Sequence, residues 1–166
     1  MADGSLADRF RDGMCRAATS VAVLTTDGAG GRAGVTVSTL CSLSLEPPSV
    51  IACVHKESQA MAAILANGVF AANVLAEHQR RIAEIFAGRV DAYCDDRFAG
   101  AEWSALGSGS PALNGALCSF DCRTASRFAF GSHAILVGEV AEVVVGNGRA
   151  RPLIYADRAF RRLEAV

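Results

Sequence analysis

The stretch 34–48, GVTVSTLCSLSLEPP, constrains the fold more than any other part of the chain. It carries no charge until Glu46, and it alternates by twos. Val35, Val37, Thr39, Cys41, Leu43 and Leu45 fall on one parity; Thr36, Ser38, Leu40, Ser42 and Ser44 fall on the other. Successive side chains of a strand point to opposite faces, so period two predicts a strand with one mostly apolar face and one row of short hydroxyls. At about 3.3 Å per residue a straight strand over 35–45 would be unusually long, which predicts a bend or bulge near Leu40. Hydroxyls and neighbouring backbone N–H groups suit a ligand rich in carbonyls and ring nitrogens. An ordinary half-solvated strand has the same composition, so the residues alone leave both readings open.

The rest of the chain continues the β-rich theme. A short helix is expected over 8–17 and a strand over 19–26, ended by the turn signal DGAGG. Another apolar strand follows Pro47-Pro48 over 49–55. Ser58 is placed to cap a helix running to Ala66, closed by Asn67-Gly68. A strand over 69–75 and a helix over 77–87 come next, with Gly88 just past the end. Residues 89–115 read as a long irregular loop, and such loops within a domain are often functional. Long strands are expected over 117–124 and 133–145, and a last short one in PLIYA (152–156). Parallel βα alternation is absent. Roughly six or seven strands joined by tight turns predict a mainly β, α+β chain built as an antiparallel barrel with short helices. Length makes one domain over 1–166 the default.

Composition narrows the partners. A formal net charge of −1 gives no electrostatic pull toward nucleic acid or an anionic membrane. Hydrophobic residues make up 51% of the chain and charged ones 20%, so part of the surface is expected to be covered, most simply in a homodimer. No apolar run approaches the roughly 20 residues that span a bilayer, and the charged N-terminus lacks the apolar core of a signal peptide; a cytoplasmic location is the expectation. The six cysteines form no CxxC pair and read as small buried hydrophobes, with no zinc cluster.

Catalytic signatures are scarce. There is no GxSxG elbow, no HExxH and neither common nucleotide loop, and the adjacent carboxylates Asp95 and Asp96 point apart. Two local features remain. In VHKES (54–58) a strand ends at Val54 and His55, and Lys56 and Ser58 meet the start of a helix. Unpaired N–H groups beside a cation make an anion site that a phosphate would fit. In FGSHAILVGEV (130–140) His133 opens a strand beside a glycine turn, with Arg127 near it, although a lone histidine is more often structural. A protein with no acid, base or nucleophile of its own can let a cofactor carry the reaction.

Taken in order, the segments resemble the short flavin reductases, the reductase components of two-component flavin-dependent monooxygenases. The pieces are GVTVSTLCSLSLEPPSVIACV, HKES before a helix, NGVFAANVL, a helix ending IFAG, RFAGAEW, SPALNGALCSFDC, GSHAILVGEV and PLIYADRAFRRL. The resemblance implies an FMN-binding split β-barrel that transfers hydride from NADH or NADPH to FMN or FAD. Reduced flavin would then pass to a separate flavin-dependent oxygenase. It also implies that Thr36, Val37, Ser38, Thr39 and Ser42, with Ser44 at the margin, line the isoalloxazine and ribityl chain. The segment from Val54 and His55 would reach the flavin phosphate through Lys56 and Ser58. His133 would be the nicotinamide-side residue, and Phe98 and Tyr155 would border the flavin or the dinucleotide. Two positions depart from the common pattern: His55 stands where many relatives have Asn, and Ser132 replaces a common Asp. Competing readings are a non-enzymatic flavin- or haem-binding split barrel and a pyridoxamine phosphate oxidase-like enzyme. The latter needs substrate-phosphate cations, and 91–110 offers only Arg97.

Overall fold

The computed structural model describes residues 4–148 and 150–163. The elements are α1 (Leu6–Cys15), β1 (Thr19–Ser20), β2 (Ala22–Thr26), β3 (Ala33–Val37), β4 (Cys41–Leu45), β5 (Pro48–His55), α2 (Gln59–Asn67), β6 (Val69–Val74), α3 (Arg80–Phe86), β7 (Trp103–Ala105), β8 (Pro111–Leu113), β9 (Cys118–Phe130), β10 (His133–Val145), β11 (Ile154–Ala156) and β12 (Ala159–Arg161). Seven strands form one antiparallel sheet in the order β3-β2-β6-β9-β10-β5-β4. Two smaller sheets, β1-β11-β12 and β7-β8, sit beside it.

The expected bend near Leu40 is a complete break. It has a large topological effect, because β3 and β4 lie at opposite edges of the sheet. Four residue steps join Val37 to Cys41, a reach of at most about 14 Å. Seven strands laid flat would separate their edges by about 29 Å. The sheet therefore rolls up until its edges approach. Thr39 stitches the crossing to β5: its Oγ accepts the Cys53 N–H at 2.8 Å and donates to the Cys53 carbonyl at 3.2 Å. Among the described residues no β3–β4 ladder closes the roll.

Two apolar layers follow from this curl. Ala22, Leu24, Val37, Val50, Ala52, Val54, Phe70, Ala72, Cys122, Ala134 and Leu136 fill the concave side, capped by Met61 and Ile64 of α2. Val21, Val23, Leu75 and Leu113 pack outside it against Ile82, Ala83, Ile85 and Phe86 at α3. Strand β2 is covered on both sides and buried throughout, which is why TSVAVLTT lacks a polar alternation. Ser58 caps α2 through the Met61 N–H at 3.1 Å, and Gly68 ends the helix at φ 71, as its glycine allows.

Four expectations are corrected. Strand 19–26 divides into β1 and β2, with Val21 between them donating its N–H to the Leu153 carbonyl. Strand β9 runs on to Phe130, six residues past the expected end at Thr124, because residues 126–130 continue the ladder with β10. The segment 89–115 is not wholly irregular: it holds the β7-β8 hairpin, whose turn is tied to Asp121 through the Ser108 N–H and hydroxyl. The last short strand, β11, has a hairpin partner in β12.

Candidate functional site

The hydroxyl row of 36–44 is divided by the tertiary structure. Thr36 lies opposite Val23, on the α3 side of β3, and donates to the Ala83 carbonyl at 2.8 Å. Val37 lies on the other face, in the concave core. Thr39 is committed to Cys53, as above. On β4 a register shift separates Ser42, opposite Val50, from Ser44, opposite Ser49. Val50 and Ser49 alternate along β5, so the bulge at Leu43 sends Ser42 and Ser44 to opposite faces. Ser42 stays exposed, while Ser44 folds back into the hairpin, donating to the Glu46 carbonyl at 3.1 Å and accepting its N–H at 3.0 Å. The single hydroxyl face read from period two is thus corrected to separate groups.

Two clefts share β3. One, of about 180 Å³, is lined by Thr36, Val37 and Ser38 with Val21, Ala83, Ala87, Arg89, Tyr155 and Phe160. Tyr155 meets Phe160 edge to face at 5.4 Å between ring centroids. The other, of about 470 Å³, has three walls: Arg32 to Val35, Ser58 to Ala60 at the start of α2, and Cys94 to Phe98. Phe98 is itself nearly buried, packed edge to face with Phe86 and Trp103. The Arg32 guanidinium covers its ring at 4.1 Å from the centroid and lies 3.6 Å from Asp27. The first backbone N–H groups of α2 have no intrahelical partner. The Ser58 oxygen accepts the Met61 N–H, which leaves its hydroxyl hydrogen available to donate.

The predicted phosphate segment and the predicted nicotinamide residue meet. His55 ends β5 and His133 begins β10, directly opposed in the ladder. The Lys56 N–H donates to the Ser132 carbonyl at 3.0 Å just beyond them. The two imidazoles are edge to face, 5.3 Å between centroids and 78° between planes. The His133 Nδ1 lies 2.8 Å from the Ser132 hydroxyl, and the His55 Nδ1 accepts the Glu57 N–H at 3.3 Å. Val54 points into the core and can offer a ligand only its backbone.

Arg32, Gln59, Arg89 and Phe160 line the clefts without having been singled out from sequence. Arg32 had a usable signal, as a cation two residues before the hydroxyl strand. Phe160 had none, because its strand is visible only through its pairing with β11.

Hydroxyls, guanidinium groups and helix N–H donors line these clefts, without a nucleophile–base pair. That describes an antiparallel β protein with clefts suited to a polar or anionic ligand. The description "Flavin reductase like domain" matches residues 14–164. FMN reductase (NADH) RutF 1 of Methylorubrum extorquens is 46% identical over 154 residues, 93% of this chain and 75% of that protein. Among solved structures, BorF, the flavin reductase component of a bacterial two-component tryptophan halogenase, superposes with a TM-score of 0.86 at 28% identity, over 96% of this chain and 99% of that one. The Streptomyces globisporus NADH:FAD oxidoreductase SgcE6 superposes with a TM-score of 0.87 at 28% identity, over 100% and 92%. The chain belongs to the flavin reductase-like family, and it is an oxidoreductase.

Proposed function

We propose that this protein uses NADH to reduce flavin and releases the product to a separate flavin-dependent oxygenase. The observation that carries the reading is the ladder contact that sets His55 beside His133 and Lys56 beside Ser132, two residues before the Ser58 cap of α2. It brings the strand–helix junction, whose lysine and helix start support a phosphate site, and an imidazole to one end of two adjacent strands. The relatives support the donor and the acceptor: one is named for FMN and NADH, another for FAD and NADH, and a third serves a halogenase.

The residues present fit such a ligand. Lys56, the Ser58 hydroxyl and the first N–H groups of α2 hold the phosphate. The backbone of β3 runs from the Ser58 cleft to the Tyr155 cleft and offers a track for the ribityl chain and ring. When bound, the flavin supplies the hydride acceptor. The chain's task is to hold the two rings at near-attack distance, about 3–3.5 Å, and to keep His133 on the nicotinamide side. The rolled, unclosed sheet accords with an FMN-binding split barrel. Phe128, Ile135 and Cys53 lie side by side across β9, β10 and β5 on the convex face, the same face as the two histidines. Phe128 is 60% exposed and Phe130 89%, so this apolar face calls for a cover, and a second copy of the chain would supply one beside the site.

A steady-state assay crossing NADH and NADPH with riboflavin, FMN and FAD tests the reading. NADH oxidation dependent on added flavin is expected, with weaker saturation by riboflavin, which lacks the phosphate. No flavin-dependent NADH oxidation by pure protein would overturn it.

A further inference from the structure

His55 stands at a position that the phosphate-binding reading leaves without a clear job. Its side chain is on the convex face with His133, since directly opposed residues of an antiparallel pair share a face. The His55 carbonyl accepts the Ser58 N–H at the helix start, but its ring lies against His133. The ring is held in its own turn, because Nδ1 accepts the Glu57 N–H. In the neutral imidazole an accepting Nδ1 places the proton on Nε2, so both the tautomer and the ring orientation are set locally.

His133, exposed like His55, is held by a different kind of contact. It follows Gly131, which turns the chain at φ 56. Two contacts orient its ring: the Ser132 hydroxyl at Nδ1 and the face-to-edge packing of His55. Ser132 is exposed as well, and its hydroxyl can rotate. The His55 ring is the support that comes from the neighbouring strand, and its Nδ1 is in turn tied to the backbone N–H of Glu57.

We propose that His55 is a positioning residue: its anchored ring holds His133 in the orientation that receives the dihydronicotinamide. The inference rests on the assignment of His133 to the nicotinamide side. Aromatic pairs of this geometry contribute modestly beyond their buried area, so the effect is a several-fold change in donor binding, not a loss of chemistry.

The test compares His55→Gln, His55→Phe, His133→Ala and the double variant His55→Gln/His133→Ala, with folding checked by circular dichroism and thermal melting. His55→Gln keeps an acceptor for the Glu57 N–H but has no ring, and should raise the KM for NADH about 3- to 10-fold. Its flavin Kd, read by fluorescence quenching, should stay within about twofold of the parent. His55→Phe restores the ring contact and should recover most of the lost donor affinity. In the His133→Ala background, His55→Gln should add nothing further. If His55→Gln instead weakens flavin binding by the same factor with or without His133, His55 touches the flavin and the proposal falls. It also falls if His133→Ala raises the NADH KM while His55→Gln does not, or if Phe fails to rescue a folded Gln variant. An unchanged NADH KM in His133→Ala would overturn the underlying assignment of His133 instead.

Discussion

Single residues show how far side-chain chemistry can be read without neighbours. Asn73 in NGVFAANVL gives no sign in the sequence of its load. Its amide donates to the Val23 carbonyl and the Thr25 hydroxyl and accepts from the Leu113 N–H and the Ser119 hydroxyl, all buried. Asn73→Ala would strand these partners, and a loss of about 3 kcal/mol in urea unfolding is expected. The cysteines behave as small hydrophobes only in part, since Cys41 and Cys94 are exposed. Burial, and secondarily the charge of Asp121, push the Cys122 thiol from 9.0 up to about 12. The folded state therefore keeps this proton while the unfolded chain releases it. The contribution is intact below pH 9 and is lost as pH rises from there through about 12. Unfolding midpoints measured between pH 8 and 10.5 should fall, and Cys122→Ala should flatten that slope. A thiol reagent at pH 8 should label Cys41 and Cys94 in the native protein and reach Cys122 only after unfolding.

Elements were legible where their partners did not alter them. The helix α2 with its Ser58 cap and Gly68 end, and the strands β5, β6 and β10, follow from capping chemistry and apolar runs within a residue or two. The row 35–45 was legible as strand with a bend or bulge near Leu40, but not as two edge strands with a bulge at Leu43, because Leu43 bulges only in relation to the register of β5. Likewise β9 reads as ending at Thr124, since the mixed and exposed residues after it gain strand character only from the partner across the Gly131 turn. Gly138 of β10 marks another such dependence. A Cβ there would lie 2.8 Å from Phe70 Cε1 and 2.9 Å from Cys122 Cβ. Gly138→Ala should cost about 1–3 kcal/mol and lower the melting temperature by several degrees, since the buried Phe70 ring and the Cys122 side chain leave no room for a methyl group.

At the scale of the whole molecule the rolled sheet brings together what the chain keeps apart. His55 and His133 are remote in sequence and adjacent in the ladder; Thr36 and Tyr155 meet in one cleft. The convex row of Phe128, Ile135 and Cys53 adjoins the histidines. Gel filtration and sedimentation should show a dimer, and Phe128→Glu combined with Ile135→Glu should give a folded monomer. Because the row shares a face with His133, that monomer should also have a raised KM for NADH. A variant still dimeric would remove this face from the interface.

What the sequence determined by itself was local: period two, the helix caps, the turn at Gly131, the strand–helix junction before α2, and the ordered motifs that identify the family. These depend on neighbours within a few residues, where backbone sterics and hydrogen-bond supply decide the outcome. The tertiary structure alone decided the separation of the hydroxyls, the burial of Val54 and Phe98, the recruitment of Arg32 and Phe160, and the pairing of the two histidines. Each of those depends on strand register and on the curl that a four-residue crossing imposes on a seven-stranded sheet, and neither is written in any one segment.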